Sequence, residues 1–244
     1  TAIRAFVRYA SARDLTSLPS ARRILAIPQK RFDRPLLGHL TRAEVEAVLA
    51  APDLADRSGR RDRALFTLMY NTGARVSELI ELRIRDLVLE PCASVQIRGK
   101  GRKQRTVPLW RETAVELKRW LREYPRVPDQ PLFPNRSGGP LTRVGLSERL
   151  ALAAQGAARE PPELATQRVS PDIIRHSTAM HMLQAGVDIT VIALWLGHES
   201  TATTHHYLEA DLAMKERALM ALSPPGTTSI RYQPSDRVMQ FLQT

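Results

Sequence analysis

Residues 93–109 read ASVQIRGKGRKQRTVPL and decide the fold class of this chain. The residues at 93–97 and at 105–109 suit short β-strands, and the segment Gly99-Lys100-Gly101-Arg102-Lys103 between them has the composition of a hairpin loop. The segments on either side have the apolar spacing of amphipathic helices instead. The sequence therefore predicts a mainly α chain that contains a small antiparallel β-sheet, an α+β fold.

Upstream of the hairpin, the sequence predicts a helical region that begins near residue 41. Thr41 and Glu44 have the spacing of a capping box, and the apolar residues that follow predict two amphipathic helices. The sequence Asn71-Thr72-Gly73 then interrupts the pattern, so that Arg75 lies at the start of a third helix. We expect the Arg75 side chain to be buried.

Downstream of the hairpin, the sequence predicts helices at about 111–123 and 142–158 and a further helix that contains Arg175. Ser170 and Pro171 have the features of an N-cap and a first helical residue, which places Arg175 one turn into this helix.

The next predicted helix is short and ends beside the candidate chemistry. Asp188 is its expected N-cap, and Gly197 marks its end, so that His198 lies at a helix terminus. A last helix is expected at about 211–222.

The chain divides into three predicted regions. Proline and arginine residues between 28 and 35 predict a linker, with a domain boundary near residue 36. Within residues 1–35, the segment 2–12 has helical periodicity and is interpreted as the last helix of a larger unit. Residues 36–222 form the main domain, and residues 223–244 form a C-terminal tail with a short apolar patch.

The chain is strongly basic. Its 36 Lys and Arg residues exceed its 25 Asp and Glu residues, and the formal charge of +11 favours a polyanionic partner. The charge alone would also suit a ribosome-associated protein. Aromatic residues make up 5% of the chain and do not interleave with the basic clusters, which favours duplex DNA over single strands. The residues predicted to contact DNA lie in and beside the hairpin loop: Arg98, Arg102, Lys103 and Arg105.

Cysteine usage and hydropathy indicate the compartment. Cys92 is the single cysteine, so an internal disulfide is excluded. The sequence has no signal-peptide pattern and no apolar run of the ~18 residues that span a bilayer. We therefore expect a cytoplasmic protein that does not enter a membrane.

Four residues have the chemistry that cleavage of a phosphodiester requires. Arg75 and Arg175 could hold one phosphate, because a guanidinium stays charged and can bind two oxygens at once. Lys100, held between glycines in the hairpin loop, could protonate the departing 5′ oxygen. Tyr207, nine residues after His198, offers a phenol as the nucleophile. Together they suggest DNA strand cleavage without a metal.

Four stretches carry a family resemblance: Thr72-Gly73-Ala74-Arg75-Val76-Ser77-Glu78-Leu79, Gly99-Lys100-Gly101-Arg102-Lys103 with Val107-Pro108-Leu109, Ile174-Arg175-His176-Ser177, and Leu196-Gly197-His198 through Tyr207. With these stretches in this order, the chain resembles the tyrosine recombinases, the phage integrase family of DNA breaking and rejoining enzymes. The resemblance covers residues 36–222 and implies the catalytic domain fold of that family.

The resemblance also implies a role for each candidate residue. Arg75 and Arg175 would clamp the phosphate, Lys100 would be the general acid, and His198 would bind the phosphate or transfer a proton. Tyr207 would form a 3′-phosphotyrosyl bond and release a 5′ hydroxyl. Because the covalent link keeps the bond energy, no metal, ATP or other cofactor is expected. A bacterial mobile element is the expected source, with DNA integration, site-specific recombination or transposition as the reaction.

Asp172 departs from the family pattern, which usually has His three residues before the second arginine. A carboxylate that faces a phosphate is electrostatically unfavourable. Asp172 therefore remains a candidate catalytic residue whose alternative role is to interact with the helix N-terminus or to orient Arg175.

The two ends of the chain carry further expectations. Only the final helix of the family's N-terminal DNA-clamping domain is expected in residues 1–27, so the clamp would be incomplete. In the family, the C-terminal segment often packs on a neighbouring protomer. The resemblance thus implies a homotetramer on DNA or an assembly with related recombinases, with packing of the tail in cis as the alternative.

Three other functions compete with a recombinase. A DNA-binding accessory protein with a decayed active site would agree with Asp172. A type IB topoisomerase shares the phosphotyrosine chemistry. A metal site at His198, His205 and His206 is disfavoured, because adjacent histidines point to different helix faces.

Overall fold

The computed structural model describes residues 2–14, 16, 18–28, 38–99, 103–124, 127–158, 164 and 169–198. The chain separates into two compact units, Thr1–Leu36 and Leu37–Thr244. The larger unit contains the β-sheet and those candidate site residues that fall within the described ranges. The helix predicted at about 211–222 and the C-terminal tail lie outside them.

The smaller unit contains a helical pair, α1 (Ala2–Arg13) and α2 (Leu18–Ala26). The expectation of a single helix in this region was wrong. The second helix was not predicted because it contains a proline. Pro19 lies in the first turn of this helix, where a missing backbone N–H removes no helical hydrogen bond. Arg4 of α1 donates to the Ile27 carbonyl just beyond α2, at 2.8 Å.

The helices of the larger unit follow the predicted pattern closely. Both bonds of the capping box are present, with the Thr41 N–H donating to Glu44 at 2.7 Å and the Glu44 N–H donating to Thr41 at 3.2 Å. Ser170 and Asp188 also act as N-caps, as predicted. The described helices are α3 (Arg42–Ala50), α4 (Arg57–Thr72), α5 (Val76–Glu81), α6 (Arg111–Arg122), α7 (Arg143–Ala157), α8 (Pro171–Gln184) and α9 (Ile189–Leu196).

The sheet has three antiparallel strands in the described residues, in the order β1 (Leu87–Val88), β2 (Ser94–Arg98) and β3 (Gln104–Pro108). The predicted hairpin is therefore confirmed. Strand β1 was not predicted, because two residues are too few to show an alternation. In the hairpin, Val95 pairs with Val107, and Ile97 pairs with Arg105. Paired residues share a face, so Arg105 lies on the same face as these buried apolar side chains.

The main core surrounds α4, whose apolar residues are almost completely buried. Removing one such side chain from water stabilises the fold by about 1.5–3 kcal/mol. A second apolar cluster joins α8 to α9 and includes Met180, Ile192 and Leu196. This second cluster fixes the position of the short helix that precedes His198.

Two glycines end helices at the point where α4 and α9 meet. Gly73 follows α4 with φ +56°, and Gly197 follows α9 with φ +66°. A left-handed residue at this position closes the helix, and glycine adopts it without a steric cost. A Cβ on Gly73 would lie 2.4 Å from Cδ2 of the fully buried Leu196.

We predict that Gly73→Ala destabilises the protein more than Gly186→Ala does. Both residues have positive φ, 56° and 83°, so both variants carry a backbone strain of roughly 1–2 kcal/mol. A Cβ on Gly186 meets nothing within 4 Å, whereas the one on Gly73 meets Leu196. The steric overlap adds about 1–3 kcal/mol, measurable by urea unfolding. Equal losses for the two variants would contradict this packing.

Candidate active site

The first candidate residue, Arg75, caps the N-terminus of α5 and is bound to a buried carboxylate. Its backbone N–H donates to Oε2 of Glu78 at 2.9 Å, and its Nη1 donates to Oε1 at 3.2 Å. The Glu78 side chain is buried, but that of Arg75 is 44% exposed. The expectation that Arg75 is buried was therefore wrong. Its position at a helix start, with the side chain directed into a cleft, leaves its guanidinium accessible to a ligand.

A second arginine shares the same carboxylate. Arg105 of β3 donates from Nη2 to Oε2 of Glu78 at 2.7 Å and from Nη1 to Oε1 at 3.2 Å. Its Nε donates to the Trp195 carbonyl in α9 at 2.9 Å. Burial would raise the pKa of Glu78, but the hydrogen bonds and charges of both arginines hold it below its usual value. Glu78 is thus an anion at neutral pH, bound between two cations.

The other predicted clamp residue, Arg175, is buried on α8, with 7% of its surface exposed. Its Nη1 donates to the Gly73 carbonyl, and its Nη2 donates to the Leu196 carbonyl at 2.8 Å. These carbonyls lie at the C-terminal ends of α4 and α9, where acceptors lack helical partners and a positive charge is favourable. Arg175 therefore joins the ends of two helices beside Arg75.

His198 lies directly after Gly197, as predicted, and its backbone N–H donates to the Ala193 carbonyl at 2.9 Å. Burial and the positive charges of Arg175, Arg75 and Arg105 lower the pKa of His198 to about 4. Its imidazole is therefore neutral at pH 7. A neutral imidazole has one N–H donor and one acceptor nitrogen, so it can donate to an anion or accept a proton.

A cleft of 650 Å³ opens between α5, the hairpin and α9. Arg143, the first residue of α7, also lines it and was missed by the sequence analysis, because a basic residue after an N-cap has no distinctive pattern. Arg98 is 48% exposed and is paired with Asp86 at 3.1 Å. The basic side chains along the cleft are Arg75, Arg98, Lys103, Arg105, Arg143 and His198, and the acidic ones are Glu78 and Glu81.

Of the remaining candidate residues, only Asp172 lies within the described ranges. Asp172 lies in the first turn of α8 and is exposed. Lys100, Arg102, Tyr207 and the two histidines of the disfavoured metal site, His205 and His206, lie outside the described residues. Within the described ranges, no cluster of three His, Cys, Asp or Glu residues has a geometry suited to a metal ion. No helix in the same ranges is long and apolar enough to cross a membrane.

We predict that the His198 ring titrates near pH 4 and that Arg75→Gln raises this midpoint, because the substitution removes one of the nearby positive charges. NMR of the imidazole protons measures it. In the unfolded chain a His has a pKa of about 6.5. Between pH 6.5 and pH 4, His198 is therefore protonated in the unfolded chain but neutral in the folded one. The His198 contribution to stability is therefore complete above pH 6.5 and declines towards pH 4. His198→Gln should remove this part of the decline, and a midpoint of 6.5 in the folded chain would refute the assignment.

Comparison with known proteins agrees with this geometry. Residues 39–214 match the model of the phage integrase family. The integrase/recombinase y4rC of Sinorhizobium fredii (strain NBRC 101917 / NGR234) is 45% identical over 244 residues, which cover 100% of this chain and 74% of that protein. The tyrosine recombinase XerD of Pseudomonas putida (strain KT2440) is 33% identical over 229 residues, which cover 92% of this chain and 74% of XerD.

A solved structure shows the same fold. The XerH site-specific recombinase, crystallised with its palindromic difH substrate after cleavage, superposes with a TM-score of 0.64 at 30% identity. The match covers 75% of this chain and 53% of the XerH chain, so this chain spans about half of that protein. The mainly helical fold, the confirmed hairpin and these matches agree, and the chain belongs to the phage integrase family of tyrosine recombinases.

Proposed function

We propose that this recombinase breaks and rejoins strands of duplex DNA at a specific site through a 3′-phosphotyrosyl intermediate. The observation that carries the proposal is the joining of the α4 and α9 ends by Arg175, which brings Arg75 and His198 to one cleft. The partly exposed Arg75 is available to a phosphate oxygen. The basic cleft supports a phosphodiester as the ligand.

In the proposed reaction, the phenol oxygen of Tyr207 attacks the scissile phosphorus, and the bond from phosphorus to the 5′ oxygen breaks. Lys100 donates a proton to that oxygen. Arg75 and Arg175 offset the charge that develops on the non-bridging oxygens. The neutral His198 accepts the phenol proton, or it donates its N–H to the phosphate while water accepts the phenol proton. Attack by a 5′ hydroxyl on the phosphotyrosine reverses these steps, so the chemistry consumes neither ATP nor a metal ion.

The partner of the proposed reaction is double-stranded DNA. The formal charge of +11 supports it, as does the likeness to XerH, which was crystallised bound to its palindromic difH substrate. Arg98, Lys103 and Arg143 in the cleft, with Arg102 on the hairpin, are proposed to contact phosphates. We place the reaction in the cytoplasm.

The assembly and the domain roles belong to the same proposal. We infer that residues 1–35 are part of a DNA-clamping domain and a linker, and that residues 36–222 form the catalytic domain. The tail, residues 223–244, would couple the protomers of a tetramer on DNA or pack in cis. The separation of the chain at Leu36 supports this division.

We predict that the native chain forms a denaturant-resistant adduct with a nicked duplex and that Tyr207→Phe does not, because phenylalanine lacks the attacking oxygen. The duplexes carry the DNA that flanks the gene, and the adduct is detected by denaturing gel electrophoresis. The adduct should lie on the 3′ phosphate. A native-level adduct from Tyr207→Phe would contradict the role of Tyr207.

Measuring Asp172→His in the same assay distinguishes an active recombinase from a DNA-binding accessory protein whose active site has decayed. An active native chain should gain modestly from the variant, because a neutral or cationic ring replaces a negative charge in the first turn of the helix that carries Arg175. An adduct that forms only with Asp172→His would favour the accessory protein over the recombinase.

We predict that Lys100→Ala slows adduct formation by roughly 10²- to 10⁴-fold, the usual effect of losing a general acid. A substrate with sulfur in place of the bridging 5′ oxygen should restore most of the rate, because a thiolate leaves without a proton, as its thiol has a pKa of only ~8.5. Tyr207→Phe is the control that sulfur cannot rescue. An equally slow reaction of Lys100→Ala on both substrates would exclude Lys100 as the acid.

A further inference from the structure

Arg105 was expected to contact DNA, yet its side chain is only 13% exposed. By contrast, Arg98 on the neighbouring strand is 48% exposed. The difference follows from the strand alternation, since Arg105 pairs with Ile97 on the buried face of the hairpin. Each guanidinium nitrogen donates to an acceptor of the protein: Nη1 and Nη2 to Glu78, and Nε to the Trp195 carbonyl.

We propose that Arg105 is a positioning residue, which holds Arg75 through their shared partner Glu78 at a fixed place relative to the end of α9 that carries His198. The inference rests on the proposed function and adds to it. Arg75 and His198 belong to segments that are more than a hundred residues apart in sequence. Arg105 is bound to both sides, to the carboxylate that holds Arg75 and to a backbone carbonyl three residues before His198.

Gly197 supports the assignment independently. A Cβ on Gly197 would lie 2.7 Å from Nη1 and 3.1 Å from Cζ of Arg105. The guanidinium therefore packs against the backbone of Gly197, and a larger residue there would require the Arg105 side chain to shift. The left-handed φ of +66° at Gly197 adds a second reason for glycine. The turn that precedes His198 is thus in close contact with the side chain of Arg105.

A move of Arg105 away from its present partners would be costly. If Arg105 turned towards DNA, the buried Glu78 would lose two hydrogen bonds, and the Trp195 carbonyl would lose its donor. Lysine keeps the charge of arginine but is a point donor on a flexible stem, so it cannot serve both Glu78 oxygens and the carbonyl together. The Arg105→Lys variant therefore removes the hydrogen bonds that hold Glu78 and the Trp195 carbonyl together but keeps the positive charge.

The test compares Arg105→Lys and Arg105→Gln with the matched pair Arg98→Lys and Arg98→Gln. The rate of adduct formation is measured on nicked duplexes at saturating DNA. Duplex affinity is measured at several salt concentrations, which gives the salt slope, the slope of log affinity against log salt concentration. Both Arg105 variants should slow the adduct by about 100-fold, the scale of a 1 Å misplacement, with the affinity and salt slope of the native chain. Arg98→Gln should lower the salt slope by about 0.9, the effect of one lost phosphate contact, and Arg98→Lys should retain it.

A native rate for Arg105→Lys, or a salt slope lowered by Arg105→Gln as by Arg98→Gln, would overturn the positioning role. Hydrogen exchange in the DNA-free protein gives a readout that does not depend on activity. The amide protons of Gly197 and His198 should exchange faster in Arg105→Lys, and native exchange there would also overturn the proposal. Failure of the native chain to form any adduct, with this faster exchange present, would count against the proposed function alone.

Discussion

The buried guanidinium of Arg175 forms hydrogen bonds to the Gly73 and Leu196 carbonyls, and the geometry of the site depends on this pair of contacts. A helix leaves its last carbonyls without partners, and burying them unpaired would be costly. One cation from α8 satisfies an acceptor at the end of α4 and another at the end of α9. The residues that follow these two ends, Arg75 and His198, are held beside each other as a result.

The concentration of positive charge in the site requires a compensating anion. Arg75, Arg105 and Arg175 all lie near His198, and their mutual repulsion would separate the segments that carry them. Glu78 offsets this repulsion because it remains ionised while it accepts hydrogen bonds from Arg75 and Arg105. The cost of burying one carboxylate is thus offset by two partners, and the Arg75 guanidinium still reaches the cleft.

Local signals in the sequence were sufficient to predict the elements that carry the site. The capping pairs, the hairpin and the glycines after α4 and α9 are each encoded within a few residues. The sequence could not show which cations share Glu78 or that Arg143 lines the cleft, because these depend on contacts between distant segments. The exposure of Arg75 was mispredicted for the same reason, since burial is decided by tertiary packing.

The order in which the chain is made has a consequence for when its site can assemble. The acceptors of Arg105 and Arg175 on α9, the Trp195 and Leu196 carbonyls, lie far downstream of α5 and the hairpin. During synthesis, the hairpin therefore leaves the ribosome before its acceptors on α9 exist. A chain that ends before α9 has the basic residues of the hairpin but lacks the carbonyls that hold Arg105 and Arg175, so its site cannot assemble.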